Sequence, residues 1–311
     1  MLRIATWHAP LSRKGPGLLL RDLQRAEGGE LAQIMATIAE VNADVLLLTQ
    51  IDYDAGRVAL ETLRDALAER GASYPHLFAL RPNTGRETGR DLDGDERLGQ
   101  PRDAQGFGYF NGQGGMALLS RLAVDREAVQ DFSALLWRDL LGSLIAADDP
   151  GHDVQRLSSA GHWTVPLIRE TGARLTVTAF HATPPVFDGP EDRNGRRNAD
   201  EVRFWSLYLD GAFGPVPDFL VILGNANLDP AAGDGRRDAV ADLLAKPQVQ
   251  DPFPGRTTAY WPDPGPGALR VNTASRRVWV GEQELTLTTK EFGVLALLDA
   301  ERGSVVTRET L

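Results

Sequence analysis

The run Val45-Leu46-Leu47-Leu48-Thr49 constrains this chain more than any other stretch. It is continuously apolar up to its last residue, with no polar alternation. Such a strand is covered on both faces. A strand covered on both faces needs packing layers above and below it, which points to a layered α/β domain. The flanks agree. Ile34, Ile38 and Val41 precede it at helical spacing, after a break at Gly28-Gly29. Val58, Leu60, Leu63 and Leu67 follow it at a similar spacing.

Other stretches of strand character are Leu2 to Trp7, Gly115 to Ser120, Leu175 to His181 and Phe219 to Leu223, with His162-Trp163 opening a further one. Helical spacing returns at Val202, Trp205 and Leu209, and again from Ala239 to Leu244. Residues 81–114 are polar and Gly-rich and read as irregular, with Gly112-Gln113-Gly114-Gly115 a turn before a strand. Residues 182–198 read as a loop, and the Pro/Gly-rich residues 251–267 as a loop or linker. Several strands end in polar residues, which places a site at the strand ends.

Composition narrows the chemistry. The chain has no cysteine, so disulfides, zinc–thiolate sites and thiol nucleophiles are excluded. Its net charge is −10, which argues against broad nucleic-acid binding through a basic surface. No apolar run reaches membrane-spanning length, so no membrane partner is expected. A first strand begins almost at Met1, so the chain as written reads as cytoplasmic. Export is the alternative if translation starts upstream. No oligomeric state is implied.

Several short motifs, taken in order, resemble the endonuclease/exonuclease/phosphatase superfamily. They are Arg3-Ile4-Ala5-Thr6-Trp7-His8, Asp44 to Gln50, Gly115 to Arg121, Phe180-His181, Leu223-Gly224-Asn225-Ala226-Asn227 and Leu269-Arg270-Val271-Asn272. Ser12 to Gly17 and Pro184 to Asn198 look like a bacterial subgroup of it. The resemblance implies a four-layer α/β sandwich over residues 1–268, hydrolysis of a phosphoester, and Mg²⁺ or Mn²⁺ as cofactor. It implies catalytic roles for His8, His181, Asn225 and Asn227, and a small or exposed phosphoester as substrate.

The chain departs from the family pattern where charge matters. His8 stands for the first-strand Asn, Gln50 for the metal-holding Glu and Asn225 for the Asp of the G-D-x-N motif. Asn272 stands for a further Asp, and the final S-D-H motif is absent. An amide is no base at neutral pH and a poorer ligand for a hard cation than a carboxylate. Losing a general base costs about 10²–10⁴-fold. The expectation is therefore a metal-dependent phosphoester hydrolase with a weakened site. A catalytically inactive binding protein of the same fold is the alternative. Asp52 and Asp54 sit at alternate positions beyond Gln50, so they either relocate the metal site with it or cap the following loop.

Two further clusters stand out. Asp91, Asp93 and Asp95 alternate around Gly94, a spacing that suits Ca²⁺, against a solvated acidic loop as the plain reading. Arg193, Arg196 and Arg197, with Asn194, are candidates to grip a phosphate, against a loop laced with internal ion pairs.

From about Leu269 the sequence changes character. Arg277 to Thr288 reads as a hairpin, and a helix is expected from Thr289. With Val305 to Glu309 this resembles the first half of an OmpR-type winged-helix domain. The resemblance stops before the recognition helix, so DNA readout by the tail, residues 269–311, is not expected. A DNA-associated regulator fragment is the third reading. The expected hairpin either extends the sandwich edge or stands as a remnant.

Overall fold

The computed structural model describes residues 2–25 and 28–252, together with the backbone strands at 269–272, 277–280 and 283–285. In chain order the first unit carries β1 (Ile4–Leu11), α1 (Leu18–Gln24), α2 (Gly29–Val41), β2 (Val45–Ile51), α3 (Val58–Ala68), β3 (His76–Phe78) and β4 (Gly115–Ser120). Then follow β5 (Ala123–Val124), β6 (Gln130–Asp131), β7 (His162–Ile168), β8 (Arg174–His181), α4 (Arg193–Leu209), β9 (Leu220–Val221), β10 (Gly224–Asn225) and α5 (Asp238–Leu244).

These strands form two sheets. One has the order β1-β2-β4-β3. The other runs β10-β8-β7-β5, with β6 added on β7 and β9 on β8. The period-2 geometry of β2 explains the apolar run. Leu46 and Leu48 point to one face and pack with Leu19, Ile34, Met35, Ile38, Leu63 and Leu67 of the first three helices. Val45 and Leu47 point to the other and meet Trp163, Val165, Val177 and Ala179 of the second sheet. A third cluster joins Phe180 of β8 to Val202, Phe204 and Trp205 of α4 and Val240 and Leu243 of α5. The layer order is thus helices, sheet, sheet, helices, as the sandwich expectation required.

Several elements differ from the sequence reading, among them the short strands β3, β5 and β6, which it did not expect. α1 was not expected; only Leu19 and Leu23 of its short run are buried, too few for a visible period. The expected loop at 182–198 ends early, because α4 already begins at Arg193. Its first turns bury Arg197, Asn198, Asp200 and Glu201, polar residues that pattern reading assigns to solvent. Residues 81–114 are irregular, as expected, apart from a short 3₁₀ turn at Pro101–Asp103. Isolated bridges Thr84 to Gly106 and Glu87 to Ala104 pin that segment to itself.

The chain divides into two compact units, 1–250 and 251–311. In the second, β11 (Leu269–Asn272), β12 (Arg277–Val280) and β13 (Gln283–Leu285) form an antiparallel sheet in that order. The hairpin expected from Arg277 is present, with Val278 opposite Leu285. A third strand, β11, lies alongside it. The helix expected from Thr289 and the element at Val305 to Glu309 lie outside the described residues.

Candidate functional site

The ends of β8 and β10 converge on β1 at His8. β10 runs parallel to β8 with Asn225 opposite His181. The backbone there must approach closely: a Cβ on Gly224 would sit 2.4 Å from the Phe180 carbonyl oxygen. β1 passes beside β10, and Nδ2 of Asn225 lies 2.9 Å from Nδ1 of His8. The His8 and His181 rings meet edge to face with centroids 5.1 Å apart. Asn227 takes a left-handed backbone, φ 47°. Its backbone N–H donates to Asn225 Oδ1 at 3.1 Å, and its side chain donates to the Ala182 carbonyl at 2.8 Å. Four residues singled out by the sequence are therefore one constellation.

Thr49 joins them unannounced. It is fully buried, and its Oγ1 lies 3.2 Å from His8 Nδ1. The signal for it was register: β1 and β2 are parallel with His8 opposite Thr49. Gln50, the residue the sequence picked, has a left-handed backbone, φ 63°, at the end of the β1–β2 pairing. Its side chain lies against Gly114, 2.8 Å from where a Cβ on that glycine would be.

The imidazoles are held neutral. Burial pushes His181 down to about 3, with the neighbouring His8 adding to the effect. His181 Nδ1 is buried without a hydrogen-bond partner. Burial also lowers His8, although its side chain still opens to solvent.

The remaining candidates lie elsewhere. Asp52 clamps a loop: Oδ2 accepts from Arg13 N at 2.8 Å and Oδ1 from Gly114 N at 2.9 Å. Burial raises its pKa, opposed by those N–H donors and Ser12. Asp54 caps α3, accepting from Val58 N at 2.8 Å and Ala59 N at 3.0 Å. The carboxylate oxygens of Asp52 and Asp54 are thus turned to backbone N–H donors, as the loop-capping alternative expects.

Arg193 is engaged within the protein, in line with the ion-pair alternative. Its planar fork grips Asp149 at 2.7 and 3.2 Å and reaches Gln155 at 2.9 Å. Asn194 holds its own loop, donating from its backbone to Asp188 at 2.5 Å and from its side chain to Val186 O at 2.8 Å. Arg196 binds the Glu191 carbonyl, and the buried Arg197 binds the carbonyls of Leu157, Gln105 and Arg156. Asn272 lies on β11, opposite Arg277.

Asp91, Asp93 and Asp95 do cluster, as their spacing predicts, with one oxygen from each within 4.8 Å of the others. The turn is largely self-capped: Asp91 accepts from Gly94 N at 2.7 Å and Glu96 N at 2.8 Å. Burial and the charge of Asp95 raise Asp93. Among the described residues it is the one group of three or more such ligands brought together. The strand-end constellation, with imidazoles and amides and no clustered carboxylate, does not fit a hard divalent cation.

Behind the strand ends lies a network the sequence reading missed. Glu201 of α4 accepts from Ser159 N and Thr183 N, each at 2.6 Å, and from Ser159 Oγ at 2.8 Å. Asn198 donates to the carbonyls of Thr183 at 2.7 Å and Ala226 at 2.8 Å. One helix thus ties down the exits of both β8 and β10. Burial lowers Arg197 to about 10, opposed by the charge of Glu201, and raises Glu201, opposed by the charge of Arg197.

The sandwich and a polar constellation at its strand ends define a phosphoesterase-like α/β protein. The chain belongs to the Endonuclease/Exonuclease/phosphatase family, whose model matches residues 25–272. Members of that family typically use a divalent metal. No curated protein matches the chain. Among solved structures, it is similar to sphingomyelinase C from Streptomyces griseocarneus, at 20% identity over 78% of this chain and 68% of that one, TM-score 0.44. It is similar to an endonuclease/exonuclease/phosphatase from Beutenbergia cavernae, at 18% identity over 78% of this chain and 53% of that one, TM-score 0.45. A third is beta toxin from Staphylococcus aureus with bound magnesium ions, at 14% identity over 80% and 71%, TM-score 0.46. No winged-helix family accompanies the match, so the tail keeps only its sequence resemblance.

Proposed function

We propose that this protein binds a phosphoester at its strand ends and hydrolyses it slowly at most. The observation that carries this reading is the clustering of His8, His181, Asn225 and Asn227 without a carboxylate among them. Neutral N–H donors hold phosphoryl oxygens well, because those oxygens only accept. The same groups activate water poorly. Asn225 has no basic site, and a buried imidazole near pKa 3 takes up no proton at neutral pH. A hard cation finds amide and imidazole donors here in place of carboxylates.

The test measures binding and turnover together. Bis-p-nitrophenyl phosphate and p-nitrophenyl phosphate are offered with Mg²⁺, Mn²⁺ or Ca²⁺, beside binding of the unreactive dimethyl phosphate. The expected outcome is saturable binding lost in His181→Ala, with turnover far below the roughly 1–10³ s⁻¹ common for enzymes. Metal-dependent turnover inside that range would overturn the reading. So would the absence of binding by folded protein.

A further inference from the structure

Asn225 is oriented by one neighbour and orients another. The Asn227 backbone N–H donates to its Oδ1 at 3.1 Å. That N–H can only donate, so the oxygen prong of the amide must face it. The nitrogen prong then faces His8 Nδ1, at 2.9 Å. A flipped amide would set Nδ2 against the Asn227 N–H, donor against donor.

An amide NH₂ only donates, so Nδ1 of His8 accepts. In a neutral imidazole one nitrogen accepts and the other carries the proton. The proton therefore sits on Nε2. Thr49 Oγ1, 3.2 Å from the same Nδ1, rotates to donate or accept and does not compete with this choice. An aspartate at 225 would reverse it: a carboxylate accepts from Nδ1–H and leaves Nε2 bare as a base, or favours the imidazolium.

We propose that Asn225 is a positioning residue that locks His8 as the Nε2–H tautomer, so that the strand ends offer an imidazole N–H to a phosphoryl oxygen. The donor role rests on the phosphoester reading above; the tautomer lock does not. In consequence the Asn at 225 changes the sign of the site, from one that takes a proton to one that presents it. The burial that lowers His8 keeps it in the neutral form at neutral pH, where tautomers are defined.

Long-range ¹H–¹⁵N correlation of the five histidines in the full labelled chain tests this directly. His8 is assigned from the signals lost in His8→Gln. At neutral pH the wild type shows His8 as Nε2–H. Asn225→Asp converts it to Nδ1–H or to imidazolium, and Asn225→Ala gives mixed tautomers. His162 donates from Nε2 to the Glu201 carbonyl and touches none of these groups, so its unchanged Nε2–H pattern certifies the fold of each variant. Dimethyl phosphate and inorganic phosphate are then titrated. Dimethyl phosphate should move the His8 Nε2 signal, and His8→Ala should weaken its binding about five- to tenfold. His8 found as Nδ1–H, or unmoved by Asn225→Asp in a folded variant, overturns the lock. A confirmed lock with no phosphate response at His8, His181 or Asn225 overturns the donor role and the phosphoester reading.

Discussion

His162 and His181 stand one register step apart on paired strands, since His162 lies opposite Phe180. Their surroundings differ in kind. His162 is used up: Ser158 Oγ donates to Nδ1 at 2.5 Å, Nε2 donates to the Glu201 carbonyl at 2.9 Å, and Trp205 stacks on its ring. His181 keeps a buried nitrogen without a partner and turns its ring toward His8. The two regions they belong to differ less sharply. Behind the strand ends, Glu201 and Asn198 of α4 tie down the loops, while Asn198 Oδ1, Trp205 Nε1 and Ser206 Oγ of the same helix stay buried without a partner. At the strand ends, Asn225 and Asn227 are held by hydrogen bonds to their neighbours, and His181 Nδ1 is left without one. Most buried polar groups are satisfied. His181 Nδ1 differs from the other unpartnered atoms in belonging to a ring that meets His8.

Breaking the α4 side should cost most. Glu201→Ala strips the acceptor from Ser159 N, Ser159 Oγ and Thr183 N and removes a charge that opposes the burial of Arg197. Equilibrium urea unfolding should show a loss of about 3–5 kcal/mol. A loss below about 1 kcal/mol would mean that the network is not structural.

Acid should come next. An imidazole with a depressed folded pKa binds its proton more readily in the unfolded chain. Its contribution to stability is complete above the ordinary value of 6.5 and drains as pH falls toward about 4 for His162 and about 3 for His181. Each should remove about 2 kcal/mol by pH 5. Unfolding midpoints across this window give the slope. His181→Gln should flatten it by about half, and an unchanged slope would place His181 in water.

Gly224→Ala tests how tightly the two strand exits are joined. The new Cβ would fall 2.4 Å from the Phe180 carbonyl oxygen, so a loss of about 1–3 kcal/mol is expected in thermal or urea melts. A neutral result would show that β10 moves freely from β8. The smallest effect concerns Arg193. Because its fork is spent on Asp149, Arg193→Ala should change dimethyl phosphate affinity less than twofold. A tenfold loss of affinity in folded protein would return it to the site.

Much of the fold was legible. The apolar run at Val45 to Leu48 demanded two covered faces, and the flanking helical periods supplied one layer. What escaped had no period. The opening turns of α4 look like a solvated loop, because Arg197, Asn198, Asp200 and Glu201 are buried by hydrogen bonding and not by apolarity. The constellation of His8, His181, Asn225 and Asn227 was legible through ordered motifs. Thr49 was not, since its place depends on register between β1 and β2. The partner of Arg193 was not legible, because Asp149 lies far from it in sequence.

Local chemistry settled the layered fold, the strand-end position of the site and the replacement of carboxylates by amides, since all three follow from residue type and spacing along the chain. Tertiary structure decided which groups remain available. Asp52, Asp54 and Arg193 are spent on partners distant in sequence or on backbone donors. His8 acquires a defined tautomer only because Asn227 turns the amide of Asn225 toward it. Hydrogen bonding is directional, and only the folded chain fixes which atom faces which.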